Sequence, residues 1–120
     1  MATAILACVL AGCGSEPDVV PSSFVGLELD LLSYELSENT VLLVQDVSTL
    51  VGGMPAYDGS GDDAAWIIVA ACADAADVFD ATTVEVAVVS AVDPPSDLDE
   101  RIDDREFDDA VSCDDGRTFR

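Results

Sequence analysis

Carboxylates dominate the reactive groups of this chain. There are 25 aspartates and glutamates against four arginines, no lysine and no histidine, for a formal charge of −21. Acids stand in adjacent pairs at Asp62-Asp63, Asp103-Asp104, Asp108-Asp109 and Asp114-Asp115. General acid–base catalysis needs two carboxyl groups in one pocket whose surroundings separate their pKa values. Sequence neighbours in loops and a tail point instead to a solvated acidic surface. Serine and cysteine nucleophiles lack a histidine or lysine to activate them, which argues against an enzyme, and no cofactor is implied. The segment Asp58-Gly59-Ser60-Gly61-Asp62-Asp63 sets oxygen donors beside glycines, so Asp58, Asp62 and Asp63 are the candidate cation ligands. Val69 stands where an EF-hand loop needs its glutamate, which leaves only weak, nonspecific divalent binding to expect. Trp66 is the one candidate for stacking on a sugar or peptide, with a core position as the competing reading.

The cysteines carry more information. Met1 to Gly12 reads MATAILACVLAG, an apolar run too short to span a bilayer, which takes about 20 residues. Leu10-Ala11-Gly12-Cys13 resembles a lipobox, the bacterial lipoprotein processing signal, and implies cleavage before Cys13 and acylation of its thiol. No Lys or Arg precedes the apolar run, which implies a true start codon upstream. The competing reading is a buried N-terminal element with a chance Leu-Ala-Gly-Cys. Processing would remove Cys8 and consume Cys13, leaving Cys72 and Cys113 in a compartment where disulfides persist. Bridging them closes a loop of about 40 residues, worth ~4 kcal/mol in the chain-entropy model. Two unrelated thiols are the alternative. A zinc site is not expected from so few thiols and no histidine.

The charge bounds the partners. Nucleic-acid binding runs on phosphate neutralisation by Lys and Arg, and anionic membrane surfaces repel such a chain. Disorder is the other risk of high acidity, but half of the residues are hydrophobic and occur in runs, so a folded core is expected.

These groups depend on the elements that position them. Trp66 to Cys72 is apolar on both faces, as in a strand covered on both sides. Thr82 to Val89 alternates, with Val84, Val86 and Val88 on a core face and Glu85, Ala87 and Val89 opposite. A link of about nine residues, Ala73 to Ala81, lets the two pair antiparallel. Leu27 to Leu36 reads as a helix through Leu29, Leu32 and Leu36, with Asn39 as its left-handed stop. Thr40 to Val47 reads as a strand with Val41, Leu43, Gln45 and Val47 on one face. Glycines and a proline make Leu50 to Ala64 an irregular loop. Beyond Asp93-Pro94-Pro95, the spacing of Leu98, Ile102 and Phe107 allows one short helix. The favoured reading is a mostly extended tail held only near Cys113.

Pro21, Val25-Gly26, the anchors Leu29, Leu32 and Leu36, Trp66-Ile67-Ile68-Val69 and Thr83 to Val88 fall in the order of a PASTA domain (penicillin-binding protein and Ser/Thr kinase associated). Over Pro21 to Val92 the chain resembles single-domain actinobacterial lipoproteins with a cysteine after this tryptophan and another past the last strand. The link from Ala73 to Ala81 lacks the Pro and Gly usual there, which puts family ligand contacts at that loop in doubt. The resemblance implies an α+β fold, one helix packed on a small three-stranded, mainly antiparallel sheet, and a cell-envelope role. The expected organisation is a signal peptide over 1–12, a tether over 13–20, the domain over 21–92 and an acidic tail over 93–120. The expected function is a noncatalytic, lipid-anchored protein on the outer face of the cell membrane that binds a peptidoglycan fragment or an envelope protein. The alternative is an acidic secreted protein that binds cations or basic partners. Like-charge crowding predicts carboxyl pKa values raised by folding, and hence a fold that gains stability in salt and as pH falls from 7 toward about 5.

Overall fold

The computed structural model describes residues 19–59 and 62–113. The expected signal peptide, most of the tether, Cys13 and the chain after Cys113 lie outside the described residues. Among the described residues no helix is long and apolar enough to cross a membrane.

The first described element is a 3-10 turn, Pro21–Phe24, whose proline sits at the first helical position, where its missing N–H costs nothing. Pro21 and Phe24 are buried. Gly26 then turns with φ +92°, a left-handed conformation that suits glycine. The turn lays Gly26 to Glu28 along a strand edge: Gly26 N donates to Ile68 O (2.7 Å) and Ile68 N to Leu27 O (2.9 Å). Helix α1, Leu29–Glu35, follows and buries Leu29 and Leu32 completely. It is shorter than expected. Its backbone becomes extended at Leu36, so Asn39 is not its left-handed stop.

Strand β1 is Val41–Asp46, β2 is Trp66–Ala73 and β3 is Thr83–Ser90, in the sheet order β1-β3-β2. β2 and β3 pair antiparallel as expected, but β1 runs parallel to β3, so the sheet is mixed and not mainly antiparallel. β3 is central, and both of its faces are covered where alternation predicted one. Val84, Val86 and Val88 pack on α1's side, and Ala87 and Val89 pack on the other. β1 lies at the edge, where Leu42 and Val44 turn to the first core while Val41 and Leu43 remain exposed.

A β-bulge between Ile68 and Ala70 decides where Cys72 points. Side chains alternate along a strand, so an uninterrupted β2 would put Cys72 on the face of Trp66 and Ile68. The extra residue shifts the phase by one. Val69 and Ala70 both join the second core, and Cys72 follows them there, paired across the sheet with Glu85.

The expected extended tail is corrected by its burial. Helix α2, Leu98–Asp103, is closed by Arg105 at φ +61°, with Arg105 N donating to Ile102 O (2.9 Å) and Glu106 N to Arg101 O (3.1 Å). This is a Schellman stop with arginine in the left-handed position that glycine usually takes. The reversal turns Leu98, Phe107 and Val111 onto the second face, all at most 5% exposed. A face carrying Val69, Ala70, Ala87 and Val89 must be covered, and these three side chains cover it. The compact unit therefore extends through Cys113.

Candidate functional site

Polar and aromatic side chains gather at a cleft and at a disulfide. The cleft, of about 420 Å³, lies between the start of β2, the turn after β1 and the chain after β3. Trp66, Ser48, Ser90, Met54, Asp93 and Pro94 are among its lining residues, and among the described residues no arginine lines it. Trp66 is half-buried, meets Tyr57 edge to face at 5.3 Å and also packs on the rim of the first core. Trp66 thus packs on the core, as the competing reading has it, and also lines the cleft.

Asp46, at the end of β1, holds the loop from which Ser48 to Ala56 line the cleft. Its carboxylate accepts from Ser48 N (2.9 Å), Ala56 N (2.5 Å) and Tyr57 N (2.9 Å) and so draws the 48–57 loop into a closed turn. Burial pushes the Asp46 carboxyl up, but bonds from the Ser48 hydroxyl and from the Tyr57, Ser48 and Ala56 amides outweigh it and leave the group below the usual carboxylate value. Buried Ser48 also accepts through Oγ from Ser90 N (3.3 Å), which ties this loop to β3. Gly53 passes so close to Ser48 that a Cβ would lie 3.4 Å from the serine carbonyl oxygen. With its hydroxyl held between Asp46 and Ser90, Ser48 is a structural group of the cleft. Asp93 lines the cleft at φ +55°, a left-handed conformation that aspartate tolerates better than most residues.

The second place is the disulfide. Cys72 and Cys113 are joined, with Cα atoms 6.0 Å apart across a sequence separation of 41. Glu85 lies beside them and is 8% exposed. One carboxylate oxygen accepts from Gln45 Nε2, and the other accepts from Ser112 N (3.4 Å) and Cys113 N (3.2 Å). Glu85 thus holds the end of the second-face cover to the central strand. Sequence reading missed it, because a glutamate in an alternating strand looks like a solvent-facing residue.

The candidate cation ligands do not converge. Asp62 caps the turn Asp63–Ala65 by accepting from Ala64 N (2.9 Å), and Asp63 accepts from Ser33 Oγ (3.4 Å). Burial raises the Tyr57 phenol, and Asp63, through its charge and a hydrogen bond, and the charge of Asp58 raise it further. Asp58 sits in the exposed loop. Asp74 was also missed. It closes the β2–β3 link by accepting from Thr82 N (2.9 Å), the Thr82 hydroxyl and Thr83 N (3.3 Å). The bond from the Thr82 hydroxyl, joined by backbone amides, lowers its carboxyl pKa against a small opposing effect of burial. Asp46 and Asp74 therefore run against the general rise expected from crowding.

No protein-family profile, curated protein or solved structure matches this chain.

Proposed function

We propose that the chain is a noncatalytic cell-envelope lipoprotein whose PASTA-like domain holds a cell-wall fragment or a protein partner in the Trp66 cleft. The observation that carries this reading is the cleft itself, where an indole is set beside Ser90, Pro94 and Asp93, with no arginine lining it among the described residues. Such a surface suits a neutral or cationic ligand with an apolar face and hydrogen-bonding groups. In this reading the lipid on Cys13 holds the domain at the outer face of the cell membrane. The motif order from Pro21 to Val88 supports the family assignment.

A peptidoglycan pull-down tests the reading. Binding that survives about 0.5 M NaCl, where the Debye length falls well below ~8 Å, and that Trp66→Ala abolishes supports a shaped site. Binding only to basic proteins, lost in the same salt, would replace it with the acidic secreted protein that recruits cationic partners. For the anchor, a fatty-acid probe should label the chain expressed behind its complete signal, and Cys13→Ala should remove the label. Labelling of the alanine variant would refute lipidation at Cys13.

A further inference from the structure

We propose that Cys72, Cys113 and Glu85 form a binding site for a thiophilic divalent cation, zinc by its chemistry, when the disulfide is reduced. Among the described residues these are the one group of three or more candidate ligands whose donor atoms converge, all within 4.8 Å of one another. Two thiolates on a tetrahedral zinc lie about 3.8 Å apart, given Zn–S bonds of about 2.3 Å. The Cα separation of 6.0 Å admits that spacing through side-chain rotation, with no need to move the segment that carries Cys113 away from β2. The third donor is already aimed. Gln45 Nε2 and the Ser112 and Cys113 amides fix the Glu85 carboxylate beside Cys72, its cross-strand partner. Hydrogen bonds of this kind orient a ligand in metal sites. Water completes four-coordination.

The chemistry balances with a dithiol reductant. Its two thiols pass two electrons and two protons to the disulfide, giving the thiols of Cys72 and Cys113 and a disulfide on the reductant. The cation then displaces both thiol protons, so its affinity rises with pH. Two thiolates and a carboxylate carry three negative charges, of which a divalent ion offsets two. A chain of net charge −21 favours that uptake. The disulfide and the metal are thus alternative fastenings for the same cover. The proposal does not depend on the reading of the Trp66 cleft.

Cobalt(II) titration tests it, in the full chain carrying Cys8→Ser and Cys13→Ser and reduced with a phosphine. One equivalent should bind with thiolate charge-transfer and tetrahedral ligand-field bands, and zinc should displace it. Cys113→Ser should abolish the bands, and Glu85→Gln should weaken binding at least about tenfold, the scale of loss from disturbing a metal site. A Glu85 that only pins Cys113 would change stability and leave cobalt affinity unmoved, which would overturn the proposal in a folded variant. Absence of thiolate bands in the reduced parent would overturn it as well. Should Glu85→Gln fail to fold, the carboxyl carbon resonance of Glu85 in the parent decides. A shift that saturates at one zinc supports the site, and an unmoved resonance refutes it.

Discussion

The two faces of the sheet are held by different means. The first is covered by α1 and the Pro21–Phe24 turn, which bury Leu29, Leu32 and Phe24 against Val84, Val86 and Val88. Its cover rests mainly on apolar contact, joined by the backbone bonds of Gly26 and Leu27 to Ile68. The second is covered by a segment rich in acids, with Leu98, Phe107 and Val111 as its buried side chains among the charges. That cover is fastened at points. Cys113 is bonded to Cys72, Glu85 accepts from its last amides, and Arg101 donates to Leu50 O (3.1 Å) and to Glu106 (2.9 Å) while lying over the Phe107 ring. Where burial is sparse, covalent and polar fastenings take over part of the work of holding a layer.

Truncation on the first face should have the largest effect. Leu32→Ala leaves a cavity at a fully buried position of the first core and should cost about 2–5 kcal/mol. Chemical denaturation should show the loss with every probe moving together. A loss confined to helix signals would mean that α1 is a separable layer and would weaken the contrast between the faces.

Cys113→Ser comes next, at roughly 2–4 kcal/mol, the typical worth of a disulfide. Amides of the 98–113 segment should lose protection before those of α1 do. Equal loss on both faces would show that the cover is no more dependent on its fastening than the helix is.

Deleting Val69 sharpens the account of how the faces were assigned. The bulge holds one residue more than regular alternation needs, so removal leaves Cys72 on the second face. The disulfide should still form, and the cost should be about that of one buried valine, roughly 1.5–3 kcal/mol. Free thiols in unreduced material by mass spectrometry would show that the bulge does not set the phase.

The same positions explain what could be read from the sequence. β3 alternates valine with other residues and announces its faces. Pro21, Val25-Gly26 and the leucines of α1 announce the first cover. Trp66 to Ala73 is apolar at every position, so nothing in it marks the phase change at Val69. In the tail, acids surround Leu98, Phe107 and Val111. The spacing of Leu98 and Ile102 allows the short helix that forms, but no local pattern shows the reversal that brings Phe107 and Val111 onto the sheet. A turn at Arg105, where glycine would have been the signal, is equally hidden. Of the cleft, only Trp66 was legible. Ser48 and Ser90 meet because β1 and β3 run parallel, which no local pattern states.

The smallest effect concerns pH. Asp46 and Asp74 have carboxyl pKa values lowered from 3.8 by folding, through their hydrogen bonds. A lowered folded-state pKa means that the unfolded chain binds more protons near that value, so the stability from these groups is present above about pH 3.8 and is lost as pH falls through the folded-state values. Asp46→Asn with Asp74→Asn should cost about 1 kcal/mol or less at each position at pH 5 and above. That gap should close in more acid solution. A gap that widens in acid would reverse the assignment. The salt-driven gain expected from net charge is separate and should appear in both proteins.

The most direct test of the central claim, that the chain from Leu98 to Cys113 is the folded cover of the second face, is amide hydrogen exchange on the oxidised protein. The Arg101, Asp104 and Cys113 amides donate to Asp97 O, Glu100 O and Glu85, respectively. They should exchange far more slowly than an unstructured chain, and reduction should release them before the amides of β3. Exchange at the unstructured rate in the oxidised protein would contradict the account and return this segment to an extended acidic tail.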